Sequence, residues 1–101
     1  MFERPEAGER AILVHVVFTD GFATPDFDEF MELAGTAGAT SLATVRANRA
    51  RPDPRYFIGS GKAEELRTLV AAHEAEVVLI NHQLSPGQER NLEQLLQCRV
   101  I

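Results

Sequence analysis

The chain has 101 residues, 45% hydrophobic and 25% charged, ordinary values for one folded domain that exclude a disordered or low-complexity segment. Ten basic against fifteen acidic residues leave a net charge of -5, so bulk charge does not hold nucleic acid here and any such contact needs a local basic patch. Cys98 is the only cysteine, which excludes an intrachain disulfide and a cysteine-built metal site and fits a reducing, cytoplasmic setting. The polar, acidic start from Met1 to Arg10 is not a secretory signal, and no apolar run approaches the roughly 20 residues of a membrane span.

Ala11 to Phe18, AILVHVVF, is a nearly unbroken aliphatic run, as expected of a parallel strand covered on both faces. Thr24-Pro25-Asp26 then predicts a helix start, with threonine as cap, proline at the first helical position and Asp26, Asp28 and Glu29 in the first turn. Phe27, Phe30, Met31, Ala34 and Ala37 form its apolar stripe, and Gly38 stops it. Thr40 to Val45 predicts a second strand, and the polar, proline-interrupted Arg46 to Arg55 predicts an exposed loop.

Tyr56-Phe57-Ile58 reads as a short extended stretch, with an antiparallel pairing of Ala43 to Arg46 with Arg55 to Ile58 left open. It runs into Gly59-Ser60-Gly61-Lys62 at the start of a helix whose stripe is Leu66, Leu69, Val70 and His73. Glu76 to Asn81 predicts a buried strand. Ser85-Pro86-Gly87-Gln88 is a capping box opening a third helix with stripe Leu92, Leu95 and Leu96. Cys98 to Ile101 is a strand just beginning, which points to a chain cut from a longer protein. The expected fold is α/β: a single domain over 1–101, with a mainly parallel four-stranded sheet, helices on its faces and the last strand truncated.

Gly59-Ser60-Gly61-Lys62 has the ingredients of a phosphate-binding turn, with glycines, a helix N-terminus and a cation. It departs from a P-loop, which needs glycine where Tyr56 stands and a hydroxyl where Ala63 stands, and from the dinucleotide fingerprint, which needs a glycine at Glu64. A tight strand-to-helix turn is the favoured explanation, helix N-termini being generic anion sites. Arg46, Arg49, Arg51, Arg55 and Lys62 fall in one window whose only acid is Asp53; the window carries +4 and the remainder -9. Such a patch, with Tyr56 or Phe57 beside it for stacking, suits RNA phosphates or a partner surface, while a solvated loop is the plain alternative.

His15, His73 and His82 show no metal-ligand spacing; His15 and His73 read as packed residues, and His82 follows the end of a strand, where α/β sites collect. Ser60 and Ser85 read as helix caps, and no catalytic set of nucleophile, base and acid is visible.

Three ordered segments carry a resemblance: GERAILVHV at Gly8 to Val16, RPDPRYFIGSGKAEEL at Arg51 to Leu66, and NHQLSPGQERNLE at Asn81 to Glu93. Together they resemble the N-terminal domain of the HflX family of ribosome-associated GTPases. The glycine motif matches at Gly59, Ser60, Gly61 and Lys62, and the later motif at Leu84, Ser85, Pro86, Gln88, Arg90, Asn91 and Leu92. Asn81-His82-Gln83 departs from the acidic residues that often precede that leucine.

The resemblance implies a parent protein in which this domain precedes a helical hairpin and a G domain that binds GTP and magnesium, with no cofactor in this chain. It further implies binding to the large ribosomal subunit and its rRNA, contact with the protein's own G domain, modulation of the GTPase, and no membrane. This chain is then expected not to be catalytic alone. The residues offered for RNA or partner binding are Arg46, Arg49, Arg51, Arg55 and Tyr56, and those for phosphate or interdomain contact are Gly59, Ser60, Gly61 and Lys62. The alternative is a nucleotide- or phosphate-binding module using that Gly59 to Lys62 turn.

Overall fold

A computed structural model describes residues 9–19 and 26–101. Strand β1, Glu9–Phe18, is the long aliphatic run, and all its residues from Ala11 to Val16 are buried. Its alternate side chains enter two different cores. Ala11 and Leu13 pack with Phe30 and Ala34 of helix α1 (Phe27–Thr36), whereas Ile12, Val14, Val16 and Phe18 pack on the opposite face. This two-sided burial is why the run is continuously apolar rather than alternating.

Helix α1 is capped by Asp26, whose carboxylate accepts from the Glu29 N–H at 3.2 Å. Asp26 takes the capping role expected of Thr24; Thr24 and Pro25 themselves lie outside the described residues. Gly38, at φ 89°, turns the chain after Ala37 as expected of a glycine stop.

Strand β2 spans Ala39–Arg49, four residues longer than the Thr40 to Val45 reading at its basic end. It pairs with β1 in parallel through Phe18 opposite Arg49, with an irregularity at Ala11/Ile12. The arginines did not prevent strand formation because Val45 and Ala47 alternate with them and are buried, so Arg46 and Asn48 remain on the other, exposed side. The loop therefore starts at Ala50 instead of Arg46.

Helix α2 (Ser60–His73), strand β3 (Val77–Ile80), helix α3 (Pro86–Leu96) and strand β4 (Arg99–Val100) complete the order. The strands lie β2-β1-β3-β4, every pairing parallel. The antiparallel pairing considered for Arg55 to Ile58 does not form; residues 50–58 fold back on themselves with one antiparallel bridge, Asp53 to Phe57. Tyr56-Phe57-Ile58 is accordingly a turn rather than an extended stretch, with Phe57 at φ 67°.

Helices α2 and α3 cover one face through Ala63, Leu66, Val70, Leu92 and Leu96, and α1 covers part of the other. His73 is exposed in the last turn of α2 and is not a packed residue, whereas His15 is buried as expected. No helix among the described residues is long and apolar enough to cross a membrane.

Candidate RNA or partner interface at the carboxyl edge

All four strands run the same way, so their carboxyl ends and the starts of all three helices share one edge of the sheet. That edge is where α/β proteins place ligands. The basic window emerges there, but the structure divides it.

Arg46 projects on the α1 side of the sheet, with its guanidinium 4.3 Å from the centroid of the Phe27 ring. Arg49 turns inward. Its Nε donates to the Arg51 carbonyl at 3.2 Å, its Nη1 reaches the Ile58 carbonyl at 3.5 Å, and the guanidinium lies against the α-carbon of Gly59. A β-carbon at Gly59 would collide with it, and at φ 87° the backbone favours glycine in any case. Gly59 is thus needed for an internal arginine brace.

Lys62, which the sequence offered as a phosphate cation, donates to Glu65 at 2.8 Å. Ser60 and Gly61 are exposed in the first turn of α2, whose cap is Gly59 with no side-chain bond. The glycine turn is a real helix start, and its neighbouring cations are engaged within the protein.

Arg51, Arg55 and Tyr56 belong to a loop that is held from several sides. Asp53 Oδ2 accepts from the backbone N–H groups of Arg55 at 3.0 Å and Tyr56 at 2.7 Å, while Asp53 and Phe57 exchange two backbone bonds of 2.9 Å. Helix α3 reaches across to it: Gln88 Nε2 donates to the Asp53 carbonyl at 2.8 Å and Asn91 Nδ2 to the Arg55 carbonyl at 3.1 Å. Below, the buried Phe57 ring meets Phe18 edge-on at 5.5 Å and His82 at 5.8 Å. A bulky residue at positive φ costs about 1–3 kcal/mol and persists only where its surroundings fix it. The ring's burial and the paired bonds do so here.

At the tip, the guanidinium of exposed Arg55 lies 4.9 Å from the centroid of the Tyr56 ring. Sequence reading found Arg51, Arg55 and Tyr56 but missed the residues that hold them. Gln88 and Asn91 were visible only as a cap and a family match, because their partners are 35 and 36 residues away.

Beside this loop, Asn81 closes the junction between β1 and β3. Its Oδ1 accepts from the Val16 N–H at 2.8 Å, and its Nδ2 donates to the Val16 carbonyl at 3.1 Å and to His15 Nδ1 at 3.2 Å. His82 Nε2 donates to the same carbonyl at 2.9 Å. Burial lowers the His15 pKa below its ordinary value, helped by Arg46 and His82 and opposed by Asp26. Cys98 is a buried thiol pushed up to about 11, chiefly by desolvation, and so is unreactive near neutral pH. Among the described residues no three His, Cys, Asp or Glu side chains gather to hold a metal.

The structure thus defines a small α/β domain, a parallel layer with a braced basic loop at its carboxyl edge. Comparison with protein families matches residues 24–101 to the family described as GTP-binding GTPase N-terminal, and the chain belongs to it, as an N-terminal domain of the HflX GTPases. It is 50% identical over 101 residues to the GTPase HflX of Escherichia coli (strain K12), covering all of this chain and 24% of that protein. It is 38% identical over 102 residues to that of Lacrimispora saccharolytica, again 24% of the relative, and 41% identical over 73 residues to that of Thermococcus kodakarensis, covering 72% of this chain and 16% of the relative. The chain spans about a quarter of the length of the first two.

Proposed function

We propose that this chain is the part of an HflX-type GTPase that engages RNA of the large ribosomal subunit and, through that contact, modulates GTP hydrolysis elsewhere in the protein. One observation carries the reading: in an acidic chain, Arg51 and Arg55 stand on a loop at the carboxyl edge whose backbone is held by hydrogen bonds from α3. Phosphate contacts supply affinity in such interfaces, and a negative remainder keeps RNA from binding elsewhere on the surface. Arg51 and Arg55 are the contacting residues, with Arg49 as their brace. GTP and magnesium belong to the G domain of the longer family proteins. The Gly59 to Lys62 turn is a poor nucleotide cradle, because Arg49 packs against Gly59 and Lys62 is paired with Glu65.

The test is cosedimentation with purified large ribosomal subunits at low and moderate salt, for the parent chain and for Arg51→Ala/Arg55→Ala. The expected result is saturable binding that weakens in the variant, with the slope of log affinity against log salt reduced by roughly 1.4–1.8, about 0.7–0.9 for each phosphate no longer neutralised. Binding with an unchanged slope rejects an RNA contact at this loop. No binding by the folded chain favours instead docking of this face against the protein's own G domain, which GTPase rates with and without the domain would then report.

A further inference from the structure

We propose that Arg55 stacked on Tyr56 is a preformed platform for an unpaired nucleobase of single-stranded RNA, and that Gln88 and Asn91 are the residues that position it. The inference rests on the RNA reading above and adds what part of the RNA is recognised. A phosphate needs only a charge, and a mobile arginine would supply it. Here the arginine is fixed at three levels.

The Asp53 carboxylate fixes the backbone N–H groups of Arg55 and Tyr56, Asn91 fixes the Arg55 carbonyl, and the guanidinium carbon lies over the Tyr56 ring, 4.9 Å from its centroid. Among the described residues no carboxylate pairs with that guanidinium. A planar, delocalised cation held over an aromatic ring makes with it a surface on which another flat ring can stack, which is how single-stranded bases are held by aromatic and arginine planes. Preordering removes part of the entropic cost of that contact.

Two amides of α3 make the order possible. Gln88 and Asn91 lie three residues apart and so share a face of the helix, and both donate into loop carbonyls rather than into solvent. The platform is therefore tied to the hydrophobic core through α3.

The experiment compares a short oligoadenylate with inorganic polyphosphate of similar charge, using the parent chain and Arg55→Lys, which keeps the charge and loses the plane. Tyr56 is the only tyrosine and the chain has no tryptophan, so selectively labelled tyrosine gives one set of ring resonances that reports on the platform. The expected outcome is an affinity for oligoadenylate about ten-fold lower in Arg55→Lys, polyphosphate binding unchanged, and Tyr56 ring shifts with oligoadenylate that polyphosphate does not reproduce.

Equal oligoadenylate binding by parent and Arg55→Lys overturns the platform and leaves the RNA reading standing on charge. A parent chain that binds large subunits but not oligoadenylate overturns it likewise. A parent chain that binds neither brings down both readings. For the positioning residues, Gln88→Glu and Asn91→Asp keep the side-chain shapes and remove the amide donors. Shifted Tyr56 resonances with weaker oligoadenylate binding support their role, and unchanged resonances and affinity reject it.

Discussion

Asn81 shows how one side chain ties a protonation state to a strand junction. Its amide satisfies both backbone groups of Val16 only in the orientation that aims Nδ2 at His15 Nδ1, so His15 has to accept and therefore has to be neutral. A proton on Nδ1 would set donor against donor, and turning the amide would face Nδ2 to the Val16 N–H. The groups packed against His15 agree with a neutral ring: Arg46 from β2 and His82 beyond β3 disfavour the charge, and Asp26 at the start of α1 opposes them only weakly. The folded-state pKa lies below the unfolded value of about 6.5. This contribution to stability is thus complete above pH 6.5 and is lost as pH falls from there toward the lowered folded value. Urea unfolding of the parent and of His15→Gln, whose side-chain oxygen can still accept from Asn81, should give profiles that diverge below pH 6.5, with the variant losing less stability. Parallel profiles would show that His15 has the same pKa in the folded and unfolded chains.

At the scale of elements, the three helices and four strands were legible because their signals are local: the two-sided apolar run of β1, the stripe of α1, and the capping box of α3. The extent of β2 was not legible. Whether Arg46 to Arg49 extends a strand depends on pairing with His15 to Phe18, thirty-one residues earlier, which no local pattern contains. The loop fold escaped for the same reason, since α3 holds it. Gln88 joins the two elements: its Oε1 accepts from the Ser85 N–H at 2.9 Å while its Nε2 donates to the Asp53 carbonyl. This separates two otherwise similar substitutions. Glutamate at this position of a helix is an ordinary capping partner and is favoured by the helix dipole. Here Gln88→Glu keeps the cap but removes the donor and sets a carboxylate against a carbonyl, so it should cost about 1–2 kcal/mol. Hydrogen exchange should show the loss in the amides of residues 53–57, with the first turn of α3 still protected; equal fraying of both would place the role of Gln88 in the helix alone.

For the whole molecule, the charge asymmetry was legible from composition, but its layout was not, because sequence proximity put Arg46, Arg49 and Lys62 in one patch that the fold sends to the α1 side, inward and to Glu65 respectively. The opposite edge carries a charge pair that sequence reading did not anticipate. Arg99 in β4 pairs with Glu9 in β1, reaching past β3, and their side chains are only 10% and 13% exposed. Among the described residues Arg99 Nε has no hydrogen-bond partner, so within them the polar capacity of this buried arginine is incompletely met. Such pairs contribute little net stability against an apolar replacement, yet leaving one charge buried alone costs about 3–5 kcal/mol. A chain of this size has about 5–15 kcal/mol in total. Glu9→Ala should therefore remove roughly a fifth or more of its stability and shift the urea midpoint strongly at an unchanged slope. Glu9→Leu/Arg99→Met, which removes both charges, should recover most of that loss. If the double variant is as unstable as Glu9→Ala, the pair contributes attraction beyond relieving a stranded charge, and the first and last strands are held together by electrostatics rather than by the apolar core between them.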